Sequence, residues 1–162
     1  MEQSYWIISD TMIFKPEFNS KLDVYKEIIT QYKKIIFSNY NDPEILLETN
    51  NNYNGKYFYI FKESLFNQQL SDSFSKLVNL EQLTFGKYFN HPLTDSLSNL
   101  INLQFLTFGI AFNHPLTDSL SNLINLQKLT FGMYFNQPLS NSLSNLINLE
   151  QLTFGMYFNI IL

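Results

Sequence analysis

Phenylalanine recurs along this chain in an almost regular ladder, at Phe14, Phe37, Phe61, Phe85, Phe108, Phe131 and Phe154, with steps of 23, 24, 24, 23, 23 and 23 residues. A fixed period of this length marks a chain wound into stacked coils, because one coil is too small to bury its apolar face alone and needs its neighbours as cover. The ladder therefore restricts the fold to an elongated repeat solenoid. Function then resides in the surface that the stack presents.

Four near-copies carry the pattern most clearly, at residues 66–88, 89–111, 112–134 and 135–157, and residues 158–162 begin an incomplete fifth. Their frame is Leu-x-x-Leu-Thr-Phe-Gly-x-x-Phe-Asn-x-Pro-Leu-x-x-Ser-Leu-Ser-Asn-Leu-Ile-Asn. Leu129 and Phe131 alternate onto one face, which predicts a strand over residues 127–131. Gly132 follows. The Phe135-Asn136-Gln137-Pro138 turn then bends the chain away, because proline cannot donate to a ladder and asparagine can satisfy turn backbone groups. Leu143, Leu146 and Leu149 recur every third residue, the interval at which side chains of a 3₁₀ helix or short helical turn nearly eclipse. One coil thus reads as strand, turn and short helical segment.

These residues resemble a known family. Leu126-x-x-Leu129-x-Phe131 followed by an asparagine is similar to the leucine-rich repeat, and the Phe-Asn-x-Pro variant is similar to the FNIP-type repeats of social amoebae and giant DNA viruses. The resemblance implies an α/β repeat solenoid of about seven coils, with a parallel β-sheet on the concave face and short helical or 3₁₀ segments on the convex face. It covers residues 66–162 and, with the frame slid back, reaches Tyr32-x-x-Ile35-x-Phe37 and Met12-x-Phe14. Tyr57–Phe61 then supplies a further strand, after an Asn-rich loop at Asn50–Asn54. Residues 1–65 are degenerate coils on this reading, the whole chain being one solenoid. A rival reading makes residues 1–60 a cap, since Ser20 can begin a helix whose Leu22, Tyr25, Ile28, Ile29, Tyr32, Ile35 and Ile36 keep helical spacing.

Position by position, the Phe ladder and a column of Leu83, Leu106, Leu129 and Leu152 should form the core, with equivalent rings packed on one another about 4.8 Å apart, the spacing of adjacent strands. A second column, Asn19, Asn41, Asn67, Asn90, Asn113, Asn136 and Asn159, is expected to be structural; if its amides point inward, each must bond the turns of its own and the next coil, since an unpaired buried amide is costly.

Catalytic chemistry is hard to place on such a scaffold. His91 and His114 occupy one frame position, with Asp95 and Asp118 four residues on, but the same position holds Gln68 and Gln137 in the other coils, which suits a solvent-facing turn residue better than a metal ligand. The letters of a Ser-His-Asp triad in His91–Ser96 lie on a repeated turn without a pocket. Phosphate-loop, dinucleotide and CxxC motifs are absent. The expectation is a non-enzyme with no cofactor and no metal. A net charge of −4 provides no basic stripe for nucleic acid, no run approaches the roughly 18 apolar residues of a membrane span, and the start of the chain lacks a signal-peptide pattern. With no cysteine and no Asn-x-Ser/Thr acceptor, the simplest location is intracellular and cytoplasmic, in a host cytoplasm if the chain is viral. At 45% apolar and 17% aromatic residues, the chain has ample material for a core.

The candidate binding residues are those directed away from the core: Phe105, Thr107, Lys128, Thr130, Gln151 and Thr153 on the strands, and Tyr88, Tyr134 and Tyr157 at the ninth frame position, with Ala111 interrupting. Tyrosine and methionine suit a protein partner, whereas the eighth position (Lys87, Ile110, Met133, Met156) leans toward the core. These residues point to a protein-interaction scaffold. The resemblance also implies an alternative role as the substrate-recognition part of an F-box-type ubiquitin-ligase adapter. The final Ile160-Ile161-Leu162 suggests either self-association through an uncapped C-terminal edge or a truncated repeat relic.

Overall fold

A computed structural model of the chain describes residues 3–41 and 63–160. Seven strands form one sheet in chain order: β1 (Tyr5–Ile8), β2 (Thr11–Phe14), β3 (Lys34–Phe37), β4 (Gln82–Thr84), β5 (Phe105–Thr107), β6 (Lys128–Thr130) and β7 (Gln151–Thr153). β1 and β2 pair antiparallel through a hairpin at Ser9-Asp10, and the remaining pairings are parallel. Six parallel strands linked by five turns of the winding make a leucine-rich-repeat-like solenoid. The registers align Met12, Ile35, Leu83, Leu106, Leu129 and Leu152 in one inward row.

Phenylalanine fills the core in two spines rather than one. The strand rings stack from Phe14 to Phe37 (5.1 Å), Phe85 (5.8 Å), Phe108 (5.6 Å), Phe131 (5.6 Å) and Phe154 (5.5 Å). The turn rings Phe18, Phe66, Phe89, Phe112, Phe135 and Phe158 form a second column at 5.8–6.1 Å. Within a coil the two columns approach to 4.0 Å, as at Phe85–Phe89 and Phe108–Phe112. Each buried ring contributes roughly 1.5–3 kcal/mol by area, and each stacked pair about 0.5–1.5 kcal/mol beyond it.

Two expectations need correction. β3 pairs directly with β4, and Phe37 stacks on Phe85; the expected Tyr57–Phe61 strand and Asn50–Asn54 loop lie outside the described residues. The count of seven parallel coils falls to six parallel strands among the described residues. The convex side of the regular coils is built mainly of turns, not helices, with one 3₁₀ helix at Phe74–Lys76; before the repeats, a 3₁₀ turn at Leu22–Tyr25 runs into a four-residue helix, α1 (Lys26–Ile29). Within 93–103, i to i+3 bonds follow one another from Ser96, Ser98, Leu100 and Leu103. Ser98 Oγ donates to Asp95 C=O, and Ser96 Oγ to Leu70 C=O in the preceding coil, so hydroxyls compete for carbonyls that a continuous helix would use.

The asparagine column is structural and joins successive coils, with its members exposed or half-buried rather than turned inward. Each Oδ1 accepts the backbone N–H of the next asparagine, Asn19 from Asn67, Asn67 from Asn90, Asn90 from Asn113, Asn113 from Asn136 and Asn136 from Asn159, at 2.9–3.0 Å. Asn41 is skipped. Because its acceptor is supplied by the coil below, each turn N–H is satisfied without being covered. A second ladder donates from Asn102, Asn125 and Asn148 Nδ2 to Val78, Ile101 and Ile124 C=O.

Candidate functional site

The face of the sheet turned away from the phenylalanine spines carries two rows. Register places Gln82, Phe105, Lys128 and Gln151 side by side in one and Thr84, Thr107, Thr130 and Thr153 in the other. These rows exist because side chains alternate along a strand while Leu83, Leu106, Leu129 and Leu152 occupy the core side. Phe105 is 37% exposed, a bare aromatic ring between the polar Gln82 and Lys128. Lys128, Thr107 and Thr130 are half-buried, and Gln151 and Thr153 exposed. The Thr130 hydroxyl is shielded and has no hydrogen-bond partner among the described residues.

Tyr88, Tyr134 and Tyr157 stand beyond the glycine turn, exposed at 38%, 49% and 52%. Tyr134 and Tyr157 stack at 5.4 Å with their planes 9° apart. The structure thus brings Phe105, Lys128 and Gln151 into one strip, the threonines into a second and the tyrosines into a column on its flank. The eighth-position residues do not enter the core: Lys87, Ile110 and Met133 are half-buried, and Met156 is exposed.

Glu63 was not legible as part of this surface, because it falls outside the regular frame. Its carboxylate accepts from both the Lys87 ammonium and the Tyr88 hydroxyl. The Lys87 bond, then the Tyr88 bond, holds the Glu63 pKa below its ordinary value; the Glu63 bond in turn raises those of Lys87 and Tyr88. Lys87 Nζ lies 5.1 Å from the centre of the Tyr88 ring. Asn39 Oδ1 accepts the backbone N–H of Ser64 and of Lys87, fixing the same corner from below.

The histidines are occupied structurally. Nε2 of His91 and of His114 donates to Asn67 and Asn90 C=O, each at 3.1 Å, in the coil before. Gln68 and Gln137 bond Asn19 and Asn113 from the same frame position, so this position links coils rather than drifting freely in solvent. No cluster of three or more metal-ligating side chains occurs among the described residues. No described helix is long and apolar enough to cross a membrane. The concavities near the strand entrances are shallow and polar, one of about 290 Å³ between Asn102, Gln104, Asn125, Gln127, Asn148 and Glu150, and one of about 360 Å³ that continues it toward Lys33 and Glu81. Neither gathers a nucleophile with a base.

No family model matches the sequence, and no curated protein does. Among solved structures the chain is similar to CroV588, described as a novel circular LRR protein and coming from the giant virus CroV, at 23% identity and a TM-score of 0.41. The likeness covers 97% of this chain and 26% of that one, so this chain spans about a quarter of that protein's length.

Proposed function

We propose that this chain is a non-enzymatic interaction scaffold built of FNIP-type repeats, which grips a protein partner on the open, concave face of its sheet within the cytoplasm. The observation that supports this most is the aligned strip of Phe105, Lys128 and Gln151 beside the threonine row, flanked by exposed tyrosines. Aromatic residues at the centre of a polar surface are the usual anchors of protein interfaces, and tyrosine supplies contact area at small entropic cost. His91 and His114 are each bound to a backbone carbonyl, and in the hollow of about 430 Å³ that His91 shares with Asp23, Ser71 and Asp72 the Ser71 hydroxyl donates to Asp23 rather than to the imidazole.

The test is differential capture from host-cell lysate. Phe105→Glu and Lys128→Glu, both on the open face, should each abolish recovery of the partner that the unaltered chain retains, while Ile124→Ser on the convex side should leave it intact. Equal recovery by all four proteins, or none by the unaltered chain, would overturn the reading.

A further inference from the structure

The regular coils carry the same backbone past their glycine turns: the N–H of Ala111 donates to Lys87 C=O at 2.9 Å, that of Tyr134 to Ile110 C=O at 3.1 Å, and that of Tyr157 to Met133 C=O at 3.1 Å. Side chains mounted on that backbone fall into line, as the Tyr134–Tyr157 stack shows. Ala111 breaks the column between Tyr88 and Tyr134. Since the main chain runs through Ala111 in unbroken register, only the phenol ring is missing. The half-buried Ala111 methyl stands at the level where a ring would join two exposed tyrosines of the coils on either side.

Building on the interaction-scaffold reading, we propose that this level offers a slot for one aromatic side chain of the protein partner, inserted over Ala111 between Tyr88 and Tyr134. A planar ring is the group the slot fits. Successive rings on this solenoid stack at 5.4–6.1 Å with their planes nearly parallel, so a guest at the Ala111 level meets a ring face on either side. An aliphatic guest gains cover but no stacking. One wall is already set: Glu63, in the segment preceding Tyr88, holds both its hydroxyl and the Lys87 ammonium, which lies 5.1 Å from the centre of its ring. A wall fixed before binding loses little freedom when the guest arrives.

The variable positions of the frame point to the same place. In a chain of near-copies, coil 89–111 replaces the strand-entry Gln or Lys with Phe105, the eighth residue with Ile110 and the tyrosine with Ala111. All three fall within seven residues and place an exposed ring at Phe105 near the methyl of Ala111. The partner would thus meet a protruding aromatic group and an empty aromatic place on one coil.

N-acetyltryptophanamide, titrated into the full chain while the Ala111 methyl and the Tyr88 and Tyr134 rings are followed by NMR, tests the slot directly. Saturable shifts at those groups are expected, with N-acetylleucinamide binding at least tenfold more weakly. Ala111→Tyr should abolish the shifts while leaving the melting temperature equal or higher, because it completes the stack. Tyr134→Ala, which removes an exposed wall, should weaken binding at least tenfold. Absence of saturable shifts, or shifts unchanged in these variants, overturns the slot. Capture of a partner equally well by the unaltered chain and by Ala111→Tyr would remove the slot and leave the scaffold standing. Ligand shifts without any captured partner would do the reverse.

Discussion

Glycine at 86, 109, 132 and 155 governs how closely successive coils approach. A Cβ added at Gly109 would lie 1.9 Å from Gly86 O and 2.5 Å from Gly86 C, both main-chain atoms that cannot swing aside. Gly109→Ala should therefore cost about 3 kcal/mol or more, at or above the upper end of ordinary overpacking, and lower the urea midpoint accordingly; a loss below about 1 kcal/mol would show that the coils can part. Thr117 presents the opposite case. Its φ of 46° places a β-branched residue in the left-handed region, where asparagine is far better tolerated. Thr117→Asn should raise stability by about 1 kcal/mol in the same denaturation assay, and a lowered midpoint would mean that the threonine makes a compensating contact. Sequence showed the glycine recurring but not its reason, because the clash depends on the neighbouring coil. The left-handed residue had no signal, since threonine is the last type that such a backbone would be assigned.

At the level of elements, the strands were legible and the convex segments were not. Leu-x-Phe spacing places β4 to β7 to within a residue or two, and Ile35-x-Phe37 and Met12-x-Phe14 find β3 and β2, because alternation survives wherever one face is buried. β1 escaped notice because it pairs antiparallel at the edge and obeys no repeat. Leucines at every third residue suit a 3₁₀ helix or a short helical turn, and the structure serves that spacing mainly with linked i to i+3 turns, the serine hydroxyls taking carbonyls there. The second phenylalanine spine lay open in the frame as the Phe of Phe-Asn-x-Pro, and was assigned to the turn alone. Phe112 touches Phe89, Phe108 and Phe135, at 6.0, 4.0 and 6.1 Å. Phe112→Ala should cost about 3–5 kcal/mol, and Phe112→Leu should recover part of the area but not the roughly 0.5–1.5 kcal/mol of each stacked pair. Equal stability of Phe112→Leu and the unaltered chain would show that ring stacking adds nothing here. The Glu63 corner makes a pH prediction. Its folded pKa lies below the ordinary 4.5, so its contribution is complete above that value and is lost as pH falls through the folded one. Glu63→Gln should flatten that acid limb of the stability curve, and a limb of unchanged slope would show that Glu63 does not couple to folding.

Across the whole molecule the interactions are nearest-neighbour and in phase. Both ring columns, the two asparagine ladders, the leucine row and the glycine turns each join one coil to the next. Stability in such a stack is close to a sum of coil and interface terms. Removal of residues 112–134, one full period, brings Phe108 to Phe154, Phe89 to Phe135, Asn90 to Asn136 and Gly109 to Gly155, each pair equivalent to one that already stacks or bonds. The shortened chain should fold cooperatively, with a smaller denaturant slope in proportion to the surface it no longer buries and a lower midpoint. Removal of 112–123, about half a period, leaves the same composition class but sets Phe131 and Leu129 out of phase with Phe108 and Leu106. That chain should lose its cooperative transition, although it retains more residues than the full-period deletion. Circular dichroism in a urea series distinguishes the two. If the half-period deletion unfolds as sharply as the full-period one, phase along the phenylalanine spines is not what holds the coils together.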